Sequence, residues 1–287
     1  MSESRSILVI GGTGMLGEPV VRCLQADGYT VRVLTRNLDK ARRIFGAGVE
    51  AIKGDVEDVD SLEAALRGCL GVHINLNGGF DADLERRGTV NVAQAARRAD
   101  IMRLTYLSGA SVFAENCWYA GTRARFEAEA AIRASGVPYT IFKATYFMES
   151  LHRFVHGQRA LLIGKQPFPW HWLAAENYAR MVATAYATPS AANKSLFVYG
   201  PQALMMRDAL NVFCRIVHPE ASLMPLPIWF TWIIACLGNR QELQAALPFF
   251  AYCEKVGEGG DPSEANALLG APSITLEQWS KSQLPLN

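Results

Sequence analysis

The residues whose spacing most directly implies chemistry come early. The apolar run SILVI is followed at once by GGTGMLG, residues 11–17, and then by a helical pattern. Glycines between a strand and a helix let the backbone come within hydrogen-bonding reach of a phosphate, and the free N–H groups that open the helix favour negative charge. Two registers fit. Gly12, Gly14 and Gly17 make G-x-G-x-x-G, while Gly11, Gly14 and Gly17 make the wider G-x-x-G-x-x-G. In either one, Gly14 gives the backbone its approach to a pyrophosphate and Gly17 lets the helix lie close on the strand. Thr13, Met15 and Leu16 fill the same turn and belong to the same candidate site. A tight turn with no ligand is the bland alternative, and the strand before and helix after weigh against it.

The tip of the second apolar run decides which dinucleotide is expected. NAD sites place Asp or Glu there, about twenty residues beyond the glycines, to accept from the ribose hydroxyls. Here VRVLTRN ends in Thr35, Arg36 and Asn37, with no carboxylate. The planar donor fork of Arg36 suits a 2′-phosphate, which points to NADP(H) ahead of NAD(H). Asp55 and Val56, closing the third run, are placed to meet the adenine, and Asn75 and Asn77 in NLNGG to line the pocket after the fourth. Ordinary turn chemistry accounts for these four equally well.

Such positions are useful only if strands and helices alternate around them. Near-continuous apolar runs at 7–10, 30–34, 50–53, 71–75, 103–107 and 139–142 read as strands buried on both faces. Helical patterns at 16–26, 39–45, 59–67, 84–98 and 122–134 fall between them. The fold class implied is α/β, a doubly wound parallel sheet of Rossmann type, with residues 1–147 as the dinucleotide-binding domain. Beyond that point Pro and Trp become frequent, as in PFPWHW at 167–172, and the regular beat ends. Residues 148–287 are therefore expected to form a smaller, mostly helical substrate subdomain that returns a strand, 195–199, to the sheet.

Composition narrows the partners. With 28 basic and 27 acidic residues the net charge is +1, so no overall field draws the chain to nucleic acid or to an anionic membrane. The six cysteines include no C-x-x-C pair, and the five histidines form no ligand set, so no metal site is expected. No apolar stretch reaches the roughly 18 residues of a membrane span, and the short polar start resembles no signal peptide, so a cytoplasmic location is expected. The run at 228–237, IWFTWIIACL, predicts a short helix that is apolar all round. Core burial is its default reading, a lid over an apolar pocket the next, and peripheral membrane contact the last.

GGTGMLG, Arg36, GDV at 54–56, YLSGAS at 106–111 and EAAIRASGVPYTIFKATYFMES at 129–150 together resemble the NmrA-like, atypical branch of the short-chain dehydrogenase/reductase superfamily. The resemblance covers most of the chain. It implies a Ser at the end of the fifth strand, here Ser108, facing the nicotinamide, with Tyr146 and Phe147 packed beside it. Active members of the superfamily add a Tyr that exchanges a proton and a Lys four residues on that lowers its pKa. Tyr119 has the spacing, but Arg123 stands in the place of the Lys. NmrA-like relatives keep a Lys on this helix a few residues before a Glu; that position falls on Arg125, with Glu129 as the Glu, so the resemblance implies a cofactor contact for Arg125, holding a ribose or lowering a phenol pKa. Lys143, where relatives have Arg, could supply an ammonium or simply replace a structural Arg. Two functions follow as expectations: an NADP(H)-dependent reductase of an apolar carbonyl or conjugated small molecule, or a non-catalytic dinucleotide-binding sensor or assembly scaffold.

Overall fold

A computed structural model describes residues 5–79, 81 and 83–284. Its first half runs β1 (Ser6–Ile10), α1 (Gly17–Ala26), β2 (Thr30–Thr35), α2 (Leu38–Phe45), β3 (Glu50–Lys53), α3 (Val59–Leu66), β4 (Gly71–Ile74), α4 (Leu84–Arg98), β5 (Arg103–Gly109), α5 (Ala120–Ala134) and β6 (Tyr139–Ala144). The second half holds β7 (Val155–His156), β8 (Arg159–Ile163), β9 (Pro169–His171), α6 (Ala175–Ala187), β10 (Lys194–Val198), β11 (Ala203–Met205), α7 (Met206–Val217), β12 (Ser222–Leu226), α8 (Ile228–Leu237), α9 (Gln241–Cys253), α10 (Ser263–Leu269) and α11 (Leu276–Ser282).

Seven strands form one parallel sheet in the order β10-β6-β5-β4-β1-β2-β3. The order reverses direction at β1, and in such sheets the crevice at the carboxyl edge beside the reversal takes the ligand. Alternate side chains explain the two helical layers. Ile7 and Val9 pack with Val20, Val21 and Leu24 of α1 and Tyr178 and Val182 of α6, whereas Leu8 and Ile10 join Leu62, Val92, Ala128 and Ile132 of α3, α4 and α5. Each fully buried aliphatic side chain contributes about 1.5–3 kcal/mol, so both faces must stay apolar and the strands read as unbroken apolar runs.

A third cluster lies outside the sheet, around Met148, Phe154, Trp170, Trp172, Phe213, Phe250, Tyr252 and Trp279. Two small sheets, β11-β9 and β12-β8-β7, frame it. β5 and β6 run two residues further than their apolar cores suggest, to Gly109 and Ala144, which carries Ser108 and Lys143 into paired register. Among the described residues no helix is long and apolar enough to cross a membrane.

Candidate functional site

The carboxyl edge of β1 is shaped by what cannot fit there. Gly11 has φ +75°, and a methyl on it would stand 2.0 Å from the Asn75 carbonyl oxygen. A Cβ on Gly17 would stand 2.2 Å from the Gly11 oxygen, so the start of α1 lies directly on the turn. These are the two ends of the wider glycine register; Gly14 is less tight, 3.2 Å from the same oxygen, and donates its own N–H to it at 3.0 Å. Gly12 instead faces the side chains of Val21 and Val33.

α1 begins at Gly17, and its N-cap Leu16 supplies no side-chain cap. Glu18 donates its N–H to the Gly14 carbonyl at 3.0 Å and Pro19 has none, so the Gly17 N–H is the open amide of this helix end, which an anion would complete. Thr13 is half-buried and Met15 is 40% exposed on the rim of this turn. At the neighbouring tip, Thr35 is buried and accepts from the Asn37 N–H, while Asn37 caps α2 by accepting from Lys40. Arg36 follows Thr35 in the chain, exposed and with no side-chain hydrogen bond or ion pair among the described residues. A dinucleotide with a 2′-phosphate fits this set: an open amide, a backbone turn with no room for side chains, and an uncommitted guanidinium.

The other adenine-side candidates hold ordinary turn contacts. Asp55 Oδ1 accepts from Glu57 N–H, and Val56 is buried with its carbonyl accepting from Asn91. The Asn75 N–H donates to Ile10, and Asn77 Oδ1 accepts from Gly79. Beyond this loop, residues 80 and 82 lie outside the described set.

The half of the edge formed by β5 and β6 is organised by buried carboxylates. Glu85, in the first turn of α4 and only 7% exposed, accepts Arg125 Nε at 3.0 and 3.2 Å and the Tyr106 hydroxyl at 2.8 Å. The Glu85 charge keeps Arg125 protonated, and burial raises the Tyr106 phenol far above its ordinary range. Arg125 Nη1 reaches to 3.7 Å from where a Cβ on Gly109 would stand, so the guanidinium sits at the end of β5. Its terminal nitrogens carry no hydrogen bond among the described residues.

Glu129, 1% exposed on α5, forms a second node. It accepts from Ser108 Oγ at 2.5 Å and from Arg133 Nη2 at 2.7 Å, with Lys143 Nζ 3.8 Å away. Lys143 itself donates to the Val112 carbonyl at 2.5 Å and lies over the rings of Phe113 and Phe197 at 4.6 and 5.4 Å. Burial lowers its pKa, against the pull of Glu129. The protein's own groups thus enclose the Lys143 ammonium.

Tyr119 and Arg123, although four residues apart, do not meet as a pair. Tyr119 precedes α5 and stacks on Tyr252 at 4.8 Å, whereas Arg123 is exposed. The Tyr119 ring lies over Gly121, where a Cβ would stand 2.8 Å from it, and Arg125 follows one turn later on that helix. Burial raises the Tyr119 phenol and the Arg125 charge partly offsets the rise. Arg125, not Arg123, is the cation Tyr119 feels.

An aromatic wall completes this end. Tyr146 packs against Trp170 at 5.2 Å, Trp172 at 5.3 Å and Phe249 at 6.0 Å, and Phe249 also reaches Tyr119. Cys253 lies beside the Tyr146 hydroxyl, its thiol pushed up to about 12 by burial. Phe147 turns the other way, edge-on to Tyr178 in the sheet's core. The His171 ring stacks on Tyr199 and its Nδ1 is bound to Glu258, which also accepts from Thr145. A groove of about 760 Å³ lies elsewhere, between α8 and α9.

Glu85 and Glu258 are absent from the sequence reading. A Glu in the first turn of a helix is commonplace, and nothing in its neighbours announces a partner 40 residues on. Glu258 sits in the glycine-rich run VGEGGD, which signals a turn but not what it touches.

Comparison with known proteins agrees with this architecture. The chain is 30% identical over 214 residues to a (4-alkanoyl-5-oxo-2,5-dihydrofuran-3-yl)methyl phosphate reductase from Streptomyces griseus, covering 74% of this chain and 73% of that protein. It is 23% identical over 240 residues to the photosystem II assembly factor Ycf39 of Trieres chinensis, covering 80% and 75%. In fold it is similar to the triphenylmethane reductase of Citrobacter sp. solved with NADP(H), with a TM-score of 0.79, 19% identity, and 97% and 100% of the two chains covered. The profile of the NmrA-like family matches residues 3–269, and the chain belongs to that family.

Proposed function

We propose that the chain is an NADP(H)-dependent reductase whose substrate is an apolar, conjugated small molecule. The observation that carries this reading is the Arg125 guanidinium, anchored through Nε by Glu85 and open at its terminal nitrogens beside an aromatic wall. Gly11, Gly14, Gly17 and the amide that opens α1 hold the pyrophosphate, and Arg36 binds the 2′-phosphate. Bound NADPH supplies the hydride.

The chain's own groups then set which acceptors suit the site. The Ser108 proton is already donated to Glu129, and Lys143 is committed to Val112 and Glu129. The Tyr119 phenol is raised by burial, which makes it a poorer acid. Arg125 cannot act as an acid at all, but it stabilises negative charge where charge develops. Such a site favours acceptors that take up hydride as a delocalised anion, with the proton following from water. A simple ketone needs the proton during the transfer and is served poorly.

Absorbance of reduced nicotinamide tests this with a soluble quinone and a simple cyclic ketone as acceptors. The quinone should be reduced faster, Arg125→Ala should lower turnover about 100-fold, and Arg123→Ala should change it less than about twofold. Preference for the ketone, or equal effects of the two substitutions, would overturn the assignment.

A second reading, an assembly scaffold that binds the dinucleotide without turnover, draws on the enclosed Lys143 and on the similarity to an assembly factor. Tight NADPH binding with no oxidation by any conjugated acceptor would favour it.

A further inference from the structure

α8 plays no part in the reductase reading, and its surface is unlike the rest of the molecule. Its ten residues, IWFTWIIACL, include no charge. Contrary to the default expectation of core burial, only Thr231 and Ala235 are buried. At roughly 100° per residue, these two lie on one side, and Trp229, Phe230, Trp232, Ile233, Cys236 and Leu237 fill an opposite arc of about 160°. Leu237 is 85% exposed, Trp229 66% and Trp232 57%. Half of the ten large apolar side chains exposed among the described residues are on this helix, which makes it a patch and not scatter.

We infer that this face is the two-fold interface of a homodimer. Area supports it: the five large side chains leave about 600 Å² exposed, so pairing can bury up to about 1,200 Å² in total from them, which reaches the roughly 1,000 Å² a specific interface needs. Shape supports it as well. The protruding Trp229 and Trp232 themselves border a groove of about 760 Å³ whose walls also include Ile228, Leu247, Pro248 and Ala251. A two-fold contact requires knob and hole on the same patch, because each copy must offer both.

Charge selects a second copy over a lipid surface. Helices that dock on membranes carry Lys and Arg along their flank, and α8 has none. The first charges beyond it, Arg240 and Glu242, are opposite in sign, and the net charge of +1 supplies no attraction to anionic lipid. Two uncharged faces meet without like-charge repulsion. The inference does not depend on the reductase reading, although pairing would brace α9, whose Phe249 and Tyr252 line the aromatic wall.

Sedimentation velocity of the full chain between about 1 and 50 µM tests it. Wild type should sediment at twice the 31.5 kDa chain mass. The double variant Trp229→Glu, Trp232→Glu should weaken association at least about 100-fold while circular dichroism and NADPH binding are retained. Leu237→Lys, at a position too exposed to affect folding, should shift the equilibrium the same way. A monomeric wild type at the highest concentration, or a dimer untouched by either variant, would overturn the inference. So would a monomer that floats with phosphatidylcholine or phosphatidylserine vesicles, which would assign the face to lipid.

Discussion

The two halves of the sheet's carboxyl edge are made of different material. Around β1 and β4 the site is backbone, a turn with positive φ, an open amide at the start of α1 and glycines whose neighbours leave no room for a methyl, with the Arg36 side chain added at the tip of β2. Around β5 and β6 it is side chain: Glu85 with Arg125 and Tyr106, Glu129 with Ser108, Arg133 and Lys143, and an aromatic wall from four separate segments. A backbone site tolerates few substitutions, which suits a constant ligand part such as a diphosphate. A side-chain site can be rebuilt one residue at a time while the fold stays the same.

If the first half is truly backbone-built, its most constrained glycine should be its weakest point. Gly11→Ala forces a side chain into φ +75° and within 2.0 Å of the Asn75 oxygen. We expect a loss of about 3 kcal/mol or more in denaturant unfolding, together with loss of NADPH binding. An unchanged midpoint would break the comparison.

Glu85→Ala probes the second half. Removing a buried carboxylate leaves Arg125 and the Tyr106 hydroxyl without their partner. The loss should be about 2 kcal/mol, below the range for a fully buried pair because Arg125 is 39% exposed. Turnover should fall while NADPH affinity stays within about threefold of wild type, as expected if the contacts proposed for the other half carry most of the binding. Equal loss of binding and turnover would merge the two halves into one.

His73 adds a pH-dependent effect. It is fully buried on β4, Nδ1 bonded to Thr105, and burial lowers its pKa from 6.5 to about 3. The unfolded chain therefore binds a proton below 6.5 that the folded chain refuses until about 3. The stability this neutral His allows is fully present above 6.5 and is lost as pH falls, by up to about 1.4 kcal/mol per unit. Denaturant midpoints of wild type and His73→Gln between those values should converge toward acid. Parallel curves would mean that His73 titrates normally.

The same contrast explains what could be read from sequence. α4 starts at Leu84 and ends at Arg98, as its periodicity predicts, and β3 keeps the expected Glu50–Lys53. Strand and helix bounds follow from local patterning, and a glycine fingerprint is itself local. The exposed place of Arg36 just beyond β2 is legible because a strand tip needs no knowledge of what lies opposite. Arg123 illustrates the limit. Its spacing from Tyr119 suggested a pair, but Tyr119 stands just ahead of α5 and its ring folds back over Gly121, leaving Arg123 in solvent. The partnerships of Glu85 with Arg125, 40 apart, and of Thr145 with Glu258, 113 apart, depend on tertiary packing that no window of sequence contains. For α8, an uncharged composition was visible, but which face stays uncovered was not.

In the proposed reading a diphosphate seats at the start of α1 while Arg36 recognises the 2′-phosphate. Fluorescence titration of wild type and Arg36→Ala with NADPH and NADH separates these two contacts. Wild type should bind NADPH at least about tenfold more tightly than NADH, and Arg36→Ala should erase that preference while leaving NADH affinity unchanged. Equal weakening of both dinucleotides in the variant, or no saturable signal from either in wild type, would contradict that reading.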